Sequence, residues 1–269
     1  SSAAFSFPLP DGHRFPLRKY ALLHDALLAD GGGADDIRTP DAAPDELLRL
    51  AHTADYLRRI TTGALDQGEE RRLGLPWSPA LVERSRRTVG GTVAAAAHAL
   101  GHGVAMNLAG GTHHAFPDHG EGFCLFNDVA IAIRTLQRDG RIRRAAVIDL
   151  DVHQGNGTHA IFAGDDSVYT FSMHGARNYP FKPMPAWPRV DRGEPWGYGV
   201  RVPGTLDVEL ADGMGDGEYL DKLAGALPGV LHASQPDVVF YLAGADTHEG
   251  DRLGRMKLTF QGLERRDVM

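Results

Sequence analysis

"VIDLDVHQGNGTHAIF", residues 147–162, decides how the rest of the chain is read. It begins as an apolar run of strand character and ends by placing Asp149, Asp151 and His153 at every second position. In extended chain, alternate residues share one face, so the three side chains project together where the strand stops. Two carboxylates and an imidazole at that spacing are metal donors, and two strand ends of this kind would make a site.

Other apolar runs repeat the arrangement. "GVAMNLA" (103–109), "AAVIDL" (145–150), "SVYTFSM" (167–173) and "DVVFYLA" (237–243) have strand character. Helical segments lie between several of them, notably "NDVAIAIRTLQRDG" (127–140) and "GEYLDKLAGALPGVLHAS" (217–234). Alternating strands and helices predict an α/β fold with a mainly parallel sheet and helices on both faces. Ligands of such sheets bind beyond the carboxyl ends of the strands. Each run ends in polar, metal-competent residues: "GGTHHAFPDHGEGFCLFND" after the first, "DLDVHQGNG" at the second, Ser172, Met173 and His174 at the third, "GADTHEGD" after the fourth. Asp246, just past the fourth run, is the third donor expected beside Asp151 and His153. Three protein ligands with an open position suit catalytic zinc.

Two aspartates neutralise most of a divalent charge. Water on such an ion is less acidified than in a three-histidine site, so a separate general base is useful. The adjacent His113 and His114, after a Gly-Gly turn, are the candidates. Cys124 leads into an apolar helix and reads as a buried, inert thiol rather than a nucleophile. Ser172 lacks the Gly-x-Ser-x-Gly elbow of a nucleophilic serine.

Further upstream, "YALLHDALLAD" (20–30) and "PDELLRLAHTADYLRRITTG" (44–63) each predict a helix. "WSPALVERSRRTVGGTVAAAAHALGHG" (77–103) predicts another, with Ser78 as N-cap, Pro79 in the first turn and Gly101 after the last. Gly90 and Gly91 within it predict close packing. "RNYPFKPMPAWPRVDRGEPWGYG" (177–199) reads as a long functional loop.

The totals set limits. With 269 residues, 42% of them hydrophobic, one large α/β domain over 1–269 is expected. A net charge of −7 argues against a basic nucleic-acid face and gives no reason to expect a membrane partner. The single cysteine excludes an intrachain disulfide and suggests a reducing compartment. No stretch approaches the ~20 apolar residues of a membrane helix, and no signal peptide is visible at the first residues, so a cytoplasmic protein is expected.

"GGTHHAFPDHGEGFCLFNDVAIA", "VIDLDVHQGNGTHAIF" and "YLAGADTHEGDRLGRMKLT" together resemble the three main motif blocks of zinc-dependent histone deacetylases and their bacterial relatives. The wording "DVHQGNG" is similar to the class IV branch. The resemblance runs from about Phe7 to the end and is weaker in the N-terminal third. It implies an arginase/deacetylase-like fold and hydrolysis of an acyl-lysine amide by metal-bound water with a histidine base. It implies zinc on Asp151, His153 and Asp246, with ferrous iron able to occupy the same ligands. It makes His114 the general base and later acid, and His113 its electrostatic partner, oriented by Asp149. Structural potassium is implied on Asp149 and Ser172 with backbone oxygens of Asp151, His153 and Met173. A second potassium site is implied on backbone oxygens near Phe162 and Val168. Gly122 and Phe123 match the acyl-lysine channel.

The sequence departs from the family in two places. The residue matching the orienting partner of His114 is Asn156, where most of the family has Asp. The Gly-rich turn and tyrosine that complete the oxyanion site have no counterpart; "GGGADD" (31–36) is no substitute, and Tyr179, Tyr198 and Tyr241 do not match. The expectation is that this segment, with the final strands and helix, lies beyond Met269. Alternatives are an acetylpolyamine or other small acylamine amidohydrolase, and a non-catalytic zinc-containing module that binds acyl-lysine.

Overall fold

The computed structural model describes residues 5–31, 37–184 and 194–269. The chain divides into two compact units, Ser1–Asp139 and Gly140–Met269.

The first unit is helical among its described residues: α1 (Lys19–Ala29), α2 (Asp45–Leu48), α3 (Ala54–Thr62), α4 (Gln67–Leu73), α5 (Pro79–His102) and α6 (Asp128–Arg138). In α5 the hydroxyl of Ser78 accepts from Leu81 N, and Pro79 occupies the first turn, as the sequence predicts. Leu81, Ser85, Thr88, Thr92 and Ala96 recur at helical spacing as its buried stripe, and α5 packs along α6. Gly90 allows close passage of a neighbouring segment: a Cβ there would lie 1.9 Å from the Asp41 carbonyl oxygen.

Three expectations fail in this unit. Residues 44–63 are not one helix but two, α2 and α3. Thr53 caps α3 by accepting from Tyr56 N while its own N–H donates to Pro117 O at 2.8 Å, a partner no local pattern reveals. α5 runs through Gly101 and ends at His102, with Gly103 at φ +91° as its stop. Residues 103–109 form no strand. Val104 and Met106 are about four-fifths exposed, and the segment is pinned by a side chain: Asn107 Nδ2 donates to Thr88 O at 2.9 Å and Thr92 Oγ1 at 2.7 Å.

The second unit carries the sheet: β1 (Ala145–Asp149), α7 (Asn156–Ile161), β2 (Val168–Gly175), β3 (Leu206–Leu210), α8 (Asp216–Ser234), β4 (Val238–Leu242) and α9 (Phe260–Asp267). The order is β3-β2-β1-β4 with every pair parallel. β1 is buried at all five positions, which is why it reads as an unbroken apolar run. β3, "LDVEL", is a half-exposed edge strand. α8 packs on β1 and β2, and Phe171, Met173, Tyr219, Leu223 and Leu258 are central to the core so formed. Residues 185–193 of the long loop and the glycine run near 32–36 lie outside the described residues.

Candidate active site

In the second unit the parallel register sets the site. Asp149, the last residue of β1, stands beside Ser172 on one side and Leu242 on the other. One further ladder bond, Leu150 N to Leu242 O at 3.1 Å, closes the β1–β4 pairing. Beyond it the backbone turns onto carboxylates. Asp151 N donates to Asp149 Oδ1 at 3.1 Å, Val152 N to Asp246 Oδ1 at 2.9 Å and His153 N to Asp151 Oδ1 at 2.8 Å. Gly244 makes the approach of the two strand ends feasible, because a Cβ there would lie 2.4 Å from Asp151 Cα.

The three expected donors meet. One ligand atom from each of Asp151, His153 and Asp246 lies within 4.8 Å of the others. His153 Nδ1 is 2.8 Å from Asp151 Oδ1 and 3.1 Å from Asp246 Oδ2. Burial works against an imidazolium at His153, but the two carboxylates outweigh it and push its pKa up to about 10. Burial, with the neighbouring Asp151 charge, raises the Asp246 carboxyl. Such a cluster is electrostatically poised for a cation. Two hard oxygens and one imidazole nitrogen are donors that fit zinc or ferrous iron.

The same unit holds the residues matched to potassium. Asp149 and Ser172 are buried and adjacent across the ladder, and Ser172 Oγ lies 3.0 Å from His174 Nδ1. Near Phe162, the turn is closed by Asp165 N donating to Phe162 O at 3.0 Å. Asn156 opens α7, fully buried, and its Nδ2 donates to Val200 O at 3.0 Å. Tyr179 stands edge-on to the His153 ring with centroids 6.5 Å apart.

In the first unit the tandem histidines are buried, with ring centroids 4.1 Å apart. Their turn is held by Asp128, a residue the sequence did not single out. Its carboxylate accepts from Gly111 N (3.1 Å), Thr112 N (2.7 Å), Thr112 Oγ1 (2.6 Å) and Thr92 Oγ1 (2.5 Å). Gly122 and Phe123 form the centre of a tight turn closed by Cys124 N to Glu121 O at 2.9 Å. Both have positive φ, +57° and +67°. For Phe123 that conformation costs on the order of 1–3 kcal/mol, so the surroundings impose it. A Cβ at Gly122 would lie 2.5 Å from His114 Cδ2. The base candidate and the two channel candidates are thus brought against one another. Cys124 is buried, as expected, with its thiol 3.4 Å from Gly122 O.

Two more buried histidines brace this turn region. His52 bonds Phe116 O through Nδ1 (2.9 Å) and accepts from Asn127 N at Nε2 (3.0 Å). That pattern needs the neutral ring, and burial pushes its pKa down to about 4. His119 stacks on Phe116 beside Asp118 and Glu121. Burial opposes its charge, but the two carboxylates prevail and raise its pKa.

Comparison with known proteins matches residues 13–269 to the histone deacetylase domain. An uncharacterised protein of Picosynechococcus sp. is 45% identical over 97% of this chain and 81% of its own length. Histone deacetylase 2 of Arabidopsis thaliana is 32% identical over 95% of this chain, and the acetoin utilization protein AcuC of Bacillus subtilis 32% identical over 94%. The chain spans 64% and 66% of those two relatives. Among solved structures, an HDAC homologue from Aquifex aeolicus superposes with a TM-score of 0.78 at 27% identity, covering 97% of this chain and 72% of its own. The fold is therefore of the deacetylase α/β type expected from the strand pattern, and the chain belongs to the histone deacetylase domain family.

Proposed function

We propose that this protein hydrolyses the amide of an acyl-lysine, with Asp151, His153 and Asp246 holding zinc. The observation that carries the reading is the meeting of those three donors at the ends of β1 and β4, in a chain of this family. When bound, a divalent ion supplies a Lewis acid that polarises the acyl carbonyl and acidifies water.

The chain's own residues supply the rest. His114 accepts the proton of the attacking water and returns it to the leaving lysine amine. His113, which the motif resemblance pairs with Asp149, offsets charge that develops beside it. Gly122 offers its backbone carbonyl and Phe123 its ring to the neutral stem of the acyl-lysine. Asp149, Ser172 and the backbone oxygens of Asp151, His153 and Met173 hold potassium, with a second site near Phe162 and Val168. These assignments rest on the motif resemblance together with the burial and local bonding of each residue.

The deciding experiment is chelator-sensitive release of free acid from an acyl-lysine peptide by the full-length protein. Turnover abolished by chelation and restored by zinc or ferrous iron supports the proposal. Binding of the peptide without turnover would point to a recognition module instead. Release of acid from acetylated polyamines but not from peptides would move the substrate to small acylamines.

A further inference from the structure

Both carboxylate ligands sit just beyond the last ladder bond, where ordinary β-pairing no longer holds the backbone. The carbonyls of Leu150 and Gly244 immediately precede the ligand segments, one residue before Asp151 and two before Asp246. One side chain takes both. Arg266, on α9, is 4% exposed, and its Nη1 donates to Gly244 O at 2.7 Å, with Leu150 O at 3.4 Å and Thr247 Oγ1 at 3.3 Å. The guanidinium thus touches the residue before one ligand and residues on both sides of the other.

The arginine is itself held. Its Nε donates to Asp267 Oδ1 at 2.8 Å, and the same carboxylate oxygen accepts from the Tyr241 hydroxyl on β4. α9 is therefore fastened to β4 at Tyr241 and just beyond it at Gly244, and the planar fork is fixed before it reaches the strand ends. Close by, a Cβ at Gly262 would lie 2.0 Å from Asp216 Oδ1, so α9 lies hard against the start of α8. The Tyr219 hydroxyl of α8 is buried, and the charges of Arg266, Asp149 and Asp246 act on it.

We infer that Arg266 is a positioning residue for the metal centre: it ties the two strand ends so that Asp151 and Asp246 present their oxygens at one point. A core arginine that merely filled space would not need its donors on the carbonyls flanking both ligands. The inference rests on the metal reading of Asp151, His153 and Asp246. Partners of this kind behind metal ligands are typically worth about 10–100-fold in metal affinity.

The test compares wild type, Arg266→Met and Arg266→Lys in full-length protein. Arg266→Met keeps the apolar stem and removes the fork; Arg266→Lys keeps the charge and one donor. Zinc affinity is measured by competition with a chelator, the Co2+-substituted absorption spectrum reports ligand geometry, and thermal unfolding is followed with and without metal. The expected result is a zinc affinity about 10–100-fold weaker for Arg266→Met, an altered Co2+ spectrum, and a smaller upward Tm shift on adding metal. Arg266→Lys should fall between. A lowered metal-free Tm with unchanged zinc affinity and Co2+ spectrum in either variant would overturn the inference and leave Arg266 a structural residue. If Arg266→Met fails to fold, Arg266→Lys decides by the same readouts. Wild type that binds no zinc would instead sink the metal reading itself.

Discussion

The two segments proposed to bear chemistry are held in place by different means. The proposed metal donors at 151–153 and 246 follow a parallel ladder: β1 and β4 are in register, and the donors fall two to four residues past its last paired residues. The histidine pair at 113–114 has no ladder. Its turn hangs on one buried carboxylate, Asp128, and on buried neutral His52 near the start of α6. A ladder distributes the work of pairing the strands over many backbone bonds and leaves to Arg266 only the residues just beyond it. A side-chain hub concentrates the work, so single substitutions should cost the fold far more at the histidine turn than in the strands.

The sharpest way to break that contrast is Asp128→Ala. It removes an acceptor of four bonds and leaves the half-buried N–H groups of Gly111 and Thr112 without it, so a loss of about 4 kcal/mol is expected by urea unfolding. A loss under about 1 kcal/mol would show that the turn does not depend on the hub.

Acid should act on the same region. His52 has a folded pKa of about 4 against an ordinary value of 6.5, so protonation favours the unfolded chain. The stability this ring contributes is full above pH 6.5 and is lost as pH falls towards 4, by about 3 kcal/mol. His52→Gln should flatten this part of the stability–pH curve; an unchanged slope would contradict the neutral-ring assignment.

On the ladder side, Gly244→Ala should cost less, about 2 kcal/mol, because the strand ends can part slightly to admit the methyl. Parting them should nonetheless weaken zinc binding more than it weakens the fold. Equal zinc affinity in this variant would mean that the close approach at Asp151 is not what sets the donors.

The smallest effect is reserved for Asn156→Asp. An aspartate cannot donate to Val200 O, and about 1 kcal/mol of stability should be lost. If residue 156 serves the proposed base His114, as the motif resemblance implies, the added negative charge should raise that pKa and move the acidic limb of the pH–rate profile to higher pH. An unmoved limb would separate residue 156 from the base. The Val200 bond also gives a local reason for Asn here.

The same contrast explains what could be read from the sequence. β1, β2 and β4 are apolar runs, and the period-2 donors at 149, 151 and 153 are visible without a structure. β3 was not visible, because an edge strand that alternates Leu, Asp, Val and Glu carries little apolar signal. Residues 103–109 read as a strand by composition but are pinned by Asn107, and 44–63 read as one helix although Thr53 bonds Pro117 O. Asp128 escaped notice because an acidic residue opening a helix is ordinary. Its role depends on partners 16 and 36 positions away. Arg266 is likewise an ordinary charge in a polar helix until its 116-residue reach to Leu150 is seen.

Whether Asp151, His153 and Asp246 form one metal centre is decided by zinc titration of wild type against His153→Ala and Asp246→Ala, with bound metal counted after gel filtration. One tightly bound zinc per chain is expected in wild type, with affinity at least about 100-fold weaker in each variant and both variants folded. Zinc bound with the same stoichiometry and affinity in either variant would contradict it.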